Sequence, residues 1–493
     1  MPFKNLFTSR KSALAALAVI VGLALLVWTS WMLLGKREKP PLEFDSANSL
    51  SQDEEQAVVL TEELGLAVDD VYTSRKRVAL TFNGMADLDT MTRLLQELDK
   101  HQMRATFFLP GMRVAEEPDV VGMIAEAGHE IANNTLDQLD MSSWSAEQIV
   151  EDLQLTNELI ERETGLSPRY VRTRSGDYTD EMRRAAKALG MEAVIGASIN
   201  PRDRDGQSAA EIGAYVDRFL HRGAVILLNT HLNPEIVDAI GHIAEAVERQ
   251  GFVAVPLGEL MGEGTVRKAL EEIPGHDAAQ LNLDYANTDY LYITSLPNGE
   301  NKIALTFDDW GSEKTINHIL ETLASYNVKS TFFLVGDGVE RNPNLARAIL
   351  DEGHEIANHT HSHKVVTTLS PEELQEDVVK AHRVLTEALQ EQPLMLFRPP
   401  TGEIDENASR IIAATGYRTI VNYDVTALDW DVNNRAEDIV STILERTVDG
   451  SIILLHLHDH IHTPEALPDV IEGLQDRGFT FVKVTELLEY AKE

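Results

Sequence analysis

The feature that most constrains this chain is a passage that occurs twice. VALTFNG (78–84) returns as IALTFDD (303–309), 225 residues further on. The same spacing carries ATFFL (105–109) onto STFFL (330–334) and GHEIAN (128–133) onto GHEIAN (353–358). With one-residue shifts, YVRTRSG (170–176) falls on LFRPPTG (396–402), and GAVILLN (223–229) on GSIILLH (450–456). A repeat of about 190 residues per copy means that one fold was duplicated, so each copy must bury its own core. The layout that follows is a first copy over 75–262, a linker over 263–300 and a second copy over 301–490.

Within each copy, short apolar runs alternate with amphipathic stretches. KIALTF, STFFLV, RTIVNYDV and GSIILLHL read as buried strands, rich in β-branched and aromatic residues. Between them INHILETLASYN and PEELQEDVVKAHRVLTEAL have helical periodicity, the latter with Ser370 as N-cap and Pro371 at its first position. Such alternation predicts an α/β fold with a mainly parallel sheet, helices outside, closed or nearly closed into a barrel. Chemistry in such folds gathers at the C-terminal ends of strands, and there the second copy keeps its unusual polar residues.

The N-terminus adds a different element. ALAALAVIVGLALLVWTSWMLL (13–34) carries no charge over 22 residues, long enough to cross a bilayer as a helix. It lacks the short apolar core and small-residue cleavage site of a removable signal, so we expect an uncleaved signal-anchor followed by an acidic stalk over 35–74. A single anchor ahead of a large acidic body without cysteine is most simply bacterial, single-pass, with the body outside the cytoplasm. The formal charge of −37 argues against nucleic acid as a partner, since phosphate contacts require basic surface. With no cysteine, thiol nucleophiles and Cys-metal sites are excluded, and any metal must sit on His, Asp or Glu.

Three motifs of the second copy carry candidate chemistry. TFDDW ends its first strand with Asp308 and Asp309, whose side chains point differently and can take different roles; a lone DD pair would more simply be a turn or a cap. His359 and His363, four apart in HTHSH, share one side of a turn; a lone pair of this kind is more often structural or exposed, but with one carboxylate from elsewhere it makes the three-ligand set of an open zinc site. His361 points away between them, and His354 is framework because the first copy keeps it as His129. In HLHDHIH (456–462), His456 directly follows the buried strand and is the candidate acid/base. His458, His460 and His462 carry little claim to a role. Arg398 and Asp429 are charged residues with apolar flanks, suited to ion pairing or orientation.

In order, TFDDW, HTHSH, RPPTG, LDW and LLH resemble the five signature motifs of the polysaccharide deacetylase family (NodB homology domain, carbohydrate esterase family 4). The resemblance spans the second copy and, in degraded form, the first. It implies two tandem distorted (β/α) barrels and a polysaccharide N-deacetylase, a hydrolase of carbon–nitrogen bonds other than peptide bonds. The substrate it implies is a GlcNAc-containing envelope polymer, foremost peptidoglycan. Chitooligosaccharide, xylan, a non-sugar amide, or a non-catalytic envelope scaffold are the alternatives. By the same resemblance, Asp309, His359 and His363 would hold a divalent metal, expected to be zinc. Asp308 would be the general base oriented by Arg398, and His456 the general acid tuned by Asp429. Thr401, Trp430 and Leu454 would line the pocket for acetyl group and sugar. The sequence departs from the family at Trp310-Gly311, where Gly-Pro is usual, and at Thr401, where an aromatic is usual; the second change removes one wall of the sugar groove.

The first copy has lost the chemistry. Asn83 stands for Asp308, Gly84 for Asp309, Asn134 for His359, Gln138 for His363 and Asn229 for His456, while Arg172 and Asp203 remain opposite Arg398 and Asp429. Gly84 offers no ligating atom and amides bind zinc poorly. This copy is expected to be catalytically dead and to serve as spacer, packing partner or glycan-binding module.

Overall fold

The computed structural model describes residues 58–203 and 206–490. The expected anchor over 13–34 and most of the 35–74 stalk lie outside the described residues. No helix among the described residues is long and apolar enough to cross a membrane.

Each copy builds one curled, parallel sheet with helices on its outside. The first has strands β1 (Ala67–Val68), β2 (Arg77–Asn83), β3 (Thr106–Leu109), β4 (Glu130–Asn133), β5 (Tyr170–Val171), β6 (Ala193–Ile195), β7 (Val225–Asn229) and β8 (Val253–Val255). They run in the order β1-β6-β5-β4-β3-β2-β7, with β8 also on β2. The second has β9 (Leu291–Ile293), β10 (Lys302–Asp309), β11 (Thr331–Leu334), β12 (Glu355–Asn358), β13 (Leu396–Phe397), β14 (Thr419–Val421), β15 (Val425–Thr426), β16 (Ile452–His456) and β17 (Thr480–Val482). Their order is β15-β16-β10-β11-β12-β13-β14-β9, with β17 on β10.

The structure refines two of these expectations. Neither sheet closes by continuous pairing; each is a half-barrel whose open edge meets only isolated bridges, antiparallel from Asp70 to Ala224 and from Ser295 to Ser451, and parallel from Ile199 to Ile226. A single antiparallel bridge cannot continue a parallel ladder, so pairing stops there. The boundaries also move. β1 falls inside the segment read as stalk and β9 inside the segment read as linker, where β9 pairs with β14 and Tyr285 and Tyr290 pack on the second core. Strands of two or three residues leave no periodic trace, and these edges lie outside the stretch where the copies resemble each other.

The core shows why GHEIAN is kept twice. Phe82 stacks on Phe107 and Phe307 on Phe332, with centroids 4.8 and 5.0 Å apart. His129 and His354 meet Phe107 and Phe332 edge-on, and each accepts a backbone N–H through Nδ1, from Ala105 and Ser330 at 3.1 Å. Burial pushes their pKa values down to about 4 and about 3, so both are neutral core histidines. Ser370 caps its helix in a reciprocal box with Glu373, Pro371 following at the first position, as the sequence predicts. The two copies also touch directly. Buried Arg222 of the first pairs with Glu313 and donates to Asn317 Oδ1 at 2.7 Å. Asn344 of the second donates to the Val71 and Arg222 carbonyls at 2.9 and 2.8 Å.

Candidate active site

β10 delivers two carboxylates to the C-terminal end of the second sheet, and the sheet supplies partners for each. Asp308 lies in register with His456 of β16, and Arg398, just after β13, reaches across to it. The guanidinium of Arg398 is wholly buried over the Phe333 ring and donates to Asp308 Oδ1 at 2.7 Å, Thr306 Oγ1 at 2.8 Å and the Val421 carbonyl at 3.0 Å. A charge held by that many fixed acceptors cannot swing, so Asp308 is locked in one orientation.

Asp309 faces the other way, toward histidines. Its Oδ1 is 2.9 Å from His363 Nε2 and 3.5 Å from His359 Nε2. His359 Nδ1 donates to the Arg398 carbonyl at 2.8 Å, which fixes the tautomer and leaves the Nε2 lone pair aimed at the cluster. Burial pushes His359 down against the pull of Asp308 and Asp309, keeping it in the neutral form a ligand requires. Burial would raise Asp309, but hydrogen bonds from His363 and His458 and the charges of His359 and His363 outweigh it and hold the carboxyl well below its usual range. Asp309, His359 and His363 each offer one ligand atom, all within 4.8 Å of one another. Two imidazoles and a carboxylate on an open cleft suit zinc or a similar divalent ion.

His456 ends β16. Its Nδ1 is 2.8 Å from Asp429 Oδ1, and its backbone N–H donates to Asp429 Oδ2 at 2.8 Å. Burial lowers the imidazole, but Asp429 by hydrogen bond and charge, with Asp308 and Asp309 behind it, carries it up to about 8.

The cleft that these groups share measures about 410 Å³. Asp308, Asp309, His359, His363, Thr401, Trp430, Leu454 and His456 all line it, while Arg398 and Asp429 lie fully buried behind. His361 turns away to Glu340 at 3.0 Å. The sequence reading underrated His458, whose Nε2 sits 2.8 Å from Asp309 Oδ2, its ring stacked on that of His456 at 5.9 Å. That placement follows from period-two alternation continuing past the end of β16, the one signal that could have found it. Tyr423, Thr426 and Leu428 also line the cleft, and the rule that strand ends carry function would have pointed to Tyr423. The unusual Trp310-Gly311 pair packs tightly: a Cβ on Gly338 would meet the Trp310 ring at 2.2 Å, and one on Gly311 the Leu457 carbonyl at 1.9 Å.

The same positions of the first copy form a neutral network. Asn134 Nδ2 donates to the Arg172 carbonyl at 2.8 Å, the bond that His359 makes to Arg398. Asn134 Oδ1 accepts from Gly84 N–H at 3.1 Å and from Gln138 Nε2 at 2.5 Å. His231, the counterpart of His458, occupies the space a side chain at Gly84 would need; a Cβ there would lie 2.3 Å from its Nδ1. Arg172 keeps its buried place, donating to Thr81 Oγ1 at 2.7 Å and the Gly196 carbonyl at 2.7 Å, with Asn83 where Arg398 has an acid.

Comparison with known proteins places the chain in a family. Residues 70–194 and 295–420 both match the family described as polysaccharide deacetylase. The chain belongs to that family, and its relatives named as peptidoglycan deacetylases are hydrolases of carbon–nitrogen bonds other than peptide bonds. A peptidoglycan-N-acetylglucosamine deacetylase of Bacillus cereus is 36% identical over 203 residues, 40% of this chain and 94% of the relative. A peptidoglycan-N-acetylglucosamine deacetylase of Listeria monocytogenes is 32% identical over 186 residues, 38% of either chain. A peptidoglycan-N-acetylmuramic acid deacetylase of Bacillus subtilis is 28% identical over 224 residues, 45% of this chain and 84% of the relative.

Proposed function

We propose that the second half-barrel removes N-acetyl groups from GlcNAc residues of peptidoglycan with the help of a divalent metal, and that the first half-barrel has no hydrolytic activity. The observation that carries this reading is the convergence on one cleft of three unlike units: the Asp309–His359–His363 donor set, the Asp308–Arg398 pair and the His456–Asp429 pair. Each suits one step of amide hydrolysis.

A divalent cation on Asp309, His359 and His363 would polarise the acetyl carbonyl and lower the pKa of the attacking water. Asp308, held by Arg398, accepts the proton of that water as it attacks. A backbone N–H near Thr401 stabilises developing negative charge on the carbonyl oxygen. His456 enters protonated and gives its proton to the nitrogen, which cannot leave as an anion. Leu454, buried, and Trp430, half of it exposed, flank the acetyl group and the sugar. The uncharged run 13–34 supports placing the protein at the bacterial membrane, single-pass, with its body outside the cytoplasm and facing the wall.

Acetate release from N-acetylated peptidoglycan, chitooligosaccharide and acetylated xylan, with and without a chelator, tests the reading. Release from peptidoglycan that chelation stops and added zinc restores is expected, along with its loss in Asp309→Ala. Chelator-resistant release, or full activity in Asp309→Ala, would sink the metal assignment; release from xylan alone would sink the substrate.

A further inference from the structure

The clefts of the two half-barrels differ selectively. In the first, each group assigned as metal ligand, base or acid is replaced by a neutral one, at Asn83, Gly84, Asn134, Gln138 and Asn229, while the charged pair Arg172 and Asp203 stays behind them. Of the groups assigned to seating an acetamido sugar, Leu454 and Thr401 have counterparts, while the position of Trp430 is taken by Arg204, outside the described residues. Leu227 is in register with Thr81 as Leu454 is with Thr306. Ser175-Gly176 repeats Thr401-Gly402, both glycines in the left-handed region at φ +85° and +74°. Asp203 accepts from the Asn229 backbone and side chain at 2.5 and 2.6 Å, the clamp that Asp429 applies to His456.

Nor has the space been filled. Two adjoining hollows of about 370 and 430 Å³ share Gln138, Arg174 and Ser175. Each is of the size, ~300–1,000 Å³, usual for small-molecule sites. The floor is satisfied internally by the Asn134–Gln138 network. On the rim stand half-buried Tyr178, exposed Leu139 and Leu232, and Arg174 where the second copy has Pro400. Apolar flanks and an aromatic ring suit the C–H faces of pyranose rings, and the rim donors suit their hydroxyls. Asp137, Asp140 and Asp177 on the same rim disfavour a polyanion.

We propose that the first half-barrel binds a chain of N-acetylated amino sugars without cleaving it, the same polymer that the second half-barrel deacetylates. This rests on the reading of the second site given above. Binding without chemistry is what remains when an open cleft keeps part of its wall and ligands, base and acid are removed.

The test uses the full chain carrying Asp308→Asn to stop turnover, titrated calorimetrically with a chitooligosaccharide and with its fully deacetylated form. Two equivalents of the N-acetylated oligomer per chain are expected. Arg174→Ala combined with Tyr178→Ala should weaken one of them about tenfold, the loss of one charge-assisted contact. Ser175→Trp, which plugs the waist between the hollows, should weaken the same equivalent. A single equivalent indifferent to both changes, or equal binding of the deacetylated oligomer at that site, overturns the inference. Acetate release by the unaltered chain separates the two readings. Release with one-site binding refutes only the first-barrel site, whereas two-site binding without release refutes only the deacetylase reading.

Discussion

The pairing of His456 with Asp429 makes a quantitative prediction. Asp429 Oδ1 faces His456 Nδ1 at 2.8 Å, and Oδ2 accepts both the His456 backbone N–H at 2.8 Å and Thr463 Oγ1 at 2.5 Å. In Asp429→Asn the single remaining oxygen must serve the backbone N–H, which cannot rotate away, so the new NH₂ faces His456 Nδ1. That arrangement favours a neutral imidazole with Nδ1 as acceptor. Burial then acts on His456 without its main opponent, and its pKa falls from about 8 to or below the ordinary 6.5. A cation at Asp309 offsets the remaining pull of Asp308 and Asp309 and works in the same direction.

The difference of about 1.5 pH units corresponds to ~2 kcal/mol of lost stabilisation of the protonated form. A general acid acts only while protonated, so activity is full below the folded pKa and is lost as pH rises through it. The unaltered enzyme should lose kcat/KM above about pH 8, and the variant from about pH 6.5 or lower. At pH 7 the protonated fraction falls from roughly nine-tenths to about a quarter or less. The altered tautomer adds a larger loss, on the order of 10²–10⁴ in kcat, the range general acid–base groups contribute. Stability follows the same sign: the raised His456 stabilises the fold fully below about pH 6.5, and that contribution disappears as pH passes about 8. The assay is a pH series of kcat/KM for acetate release. An alkaline limb unmoved by Asp429→Asn would refute both the acid role of His456 and the reasoning from Asp429.

Three further outcomes are expected. Arg222→Ala leaves Glu313 buried without its cation and should cost ~3–5 kcal/mol in urea unfolding, while adding Glu313→Ala should recover much of it; a cost under ~1 kcal/mol would mean that the contact between the copies is not desolvated. His458→Ala frees Asp309 Oδ2 from its 2.8 Å partner and should weaken zinc binding to the metal-free protein ~10-fold or more in a calorimetric titration, with unchanged affinity refuting an orienting role. Thr401 sits at φ +62°, a left-handed conformation unfavourable to a β-branched residue, so Thr401→Gly should raise thermal stability by up to ~1 kcal/mol, and a drop would show that the side chain is held by contacts worth more than the strain.

How much of this was legible in the sequence depends on the kind of signal. The donor set Asp309, His359 and His363 could be read because the chain contains its own control, a copy with the same framework and without those residues. The curled sheet was legible from alternating strands and helices, but its open seam was not, because it depends on isolated single bridges between residues with no pattern around them. Edge strands β1 and β9 were hidden by their shortness. His458 was hidden by a mistaken end point, since strand alternation outlasts strand pairing by two residues.

The backbone explains one substitution that comparison of the copies could only record. Asp309 has φ +78° and Gly84 φ +77°, so both copies turn into the left-handed region at the end of their first long strand. His363 and Gln138 repeat the pattern at +54° and +50°, and Thr360 and Thr135 both stand at +65°. The turn therefore belongs to the fold, not to the candidate metal site. Glycine occupies it without strain, whereas an aspartate there costs on the order of 1–3 kcal/mol. A carboxylate persists at such a position only where something compensates, and in the second copy His363 and His458 hold it from both sides. In the first copy His231 has moved into the space instead, and glycine is the residue that turn accepts most readily once no ligand is required of it.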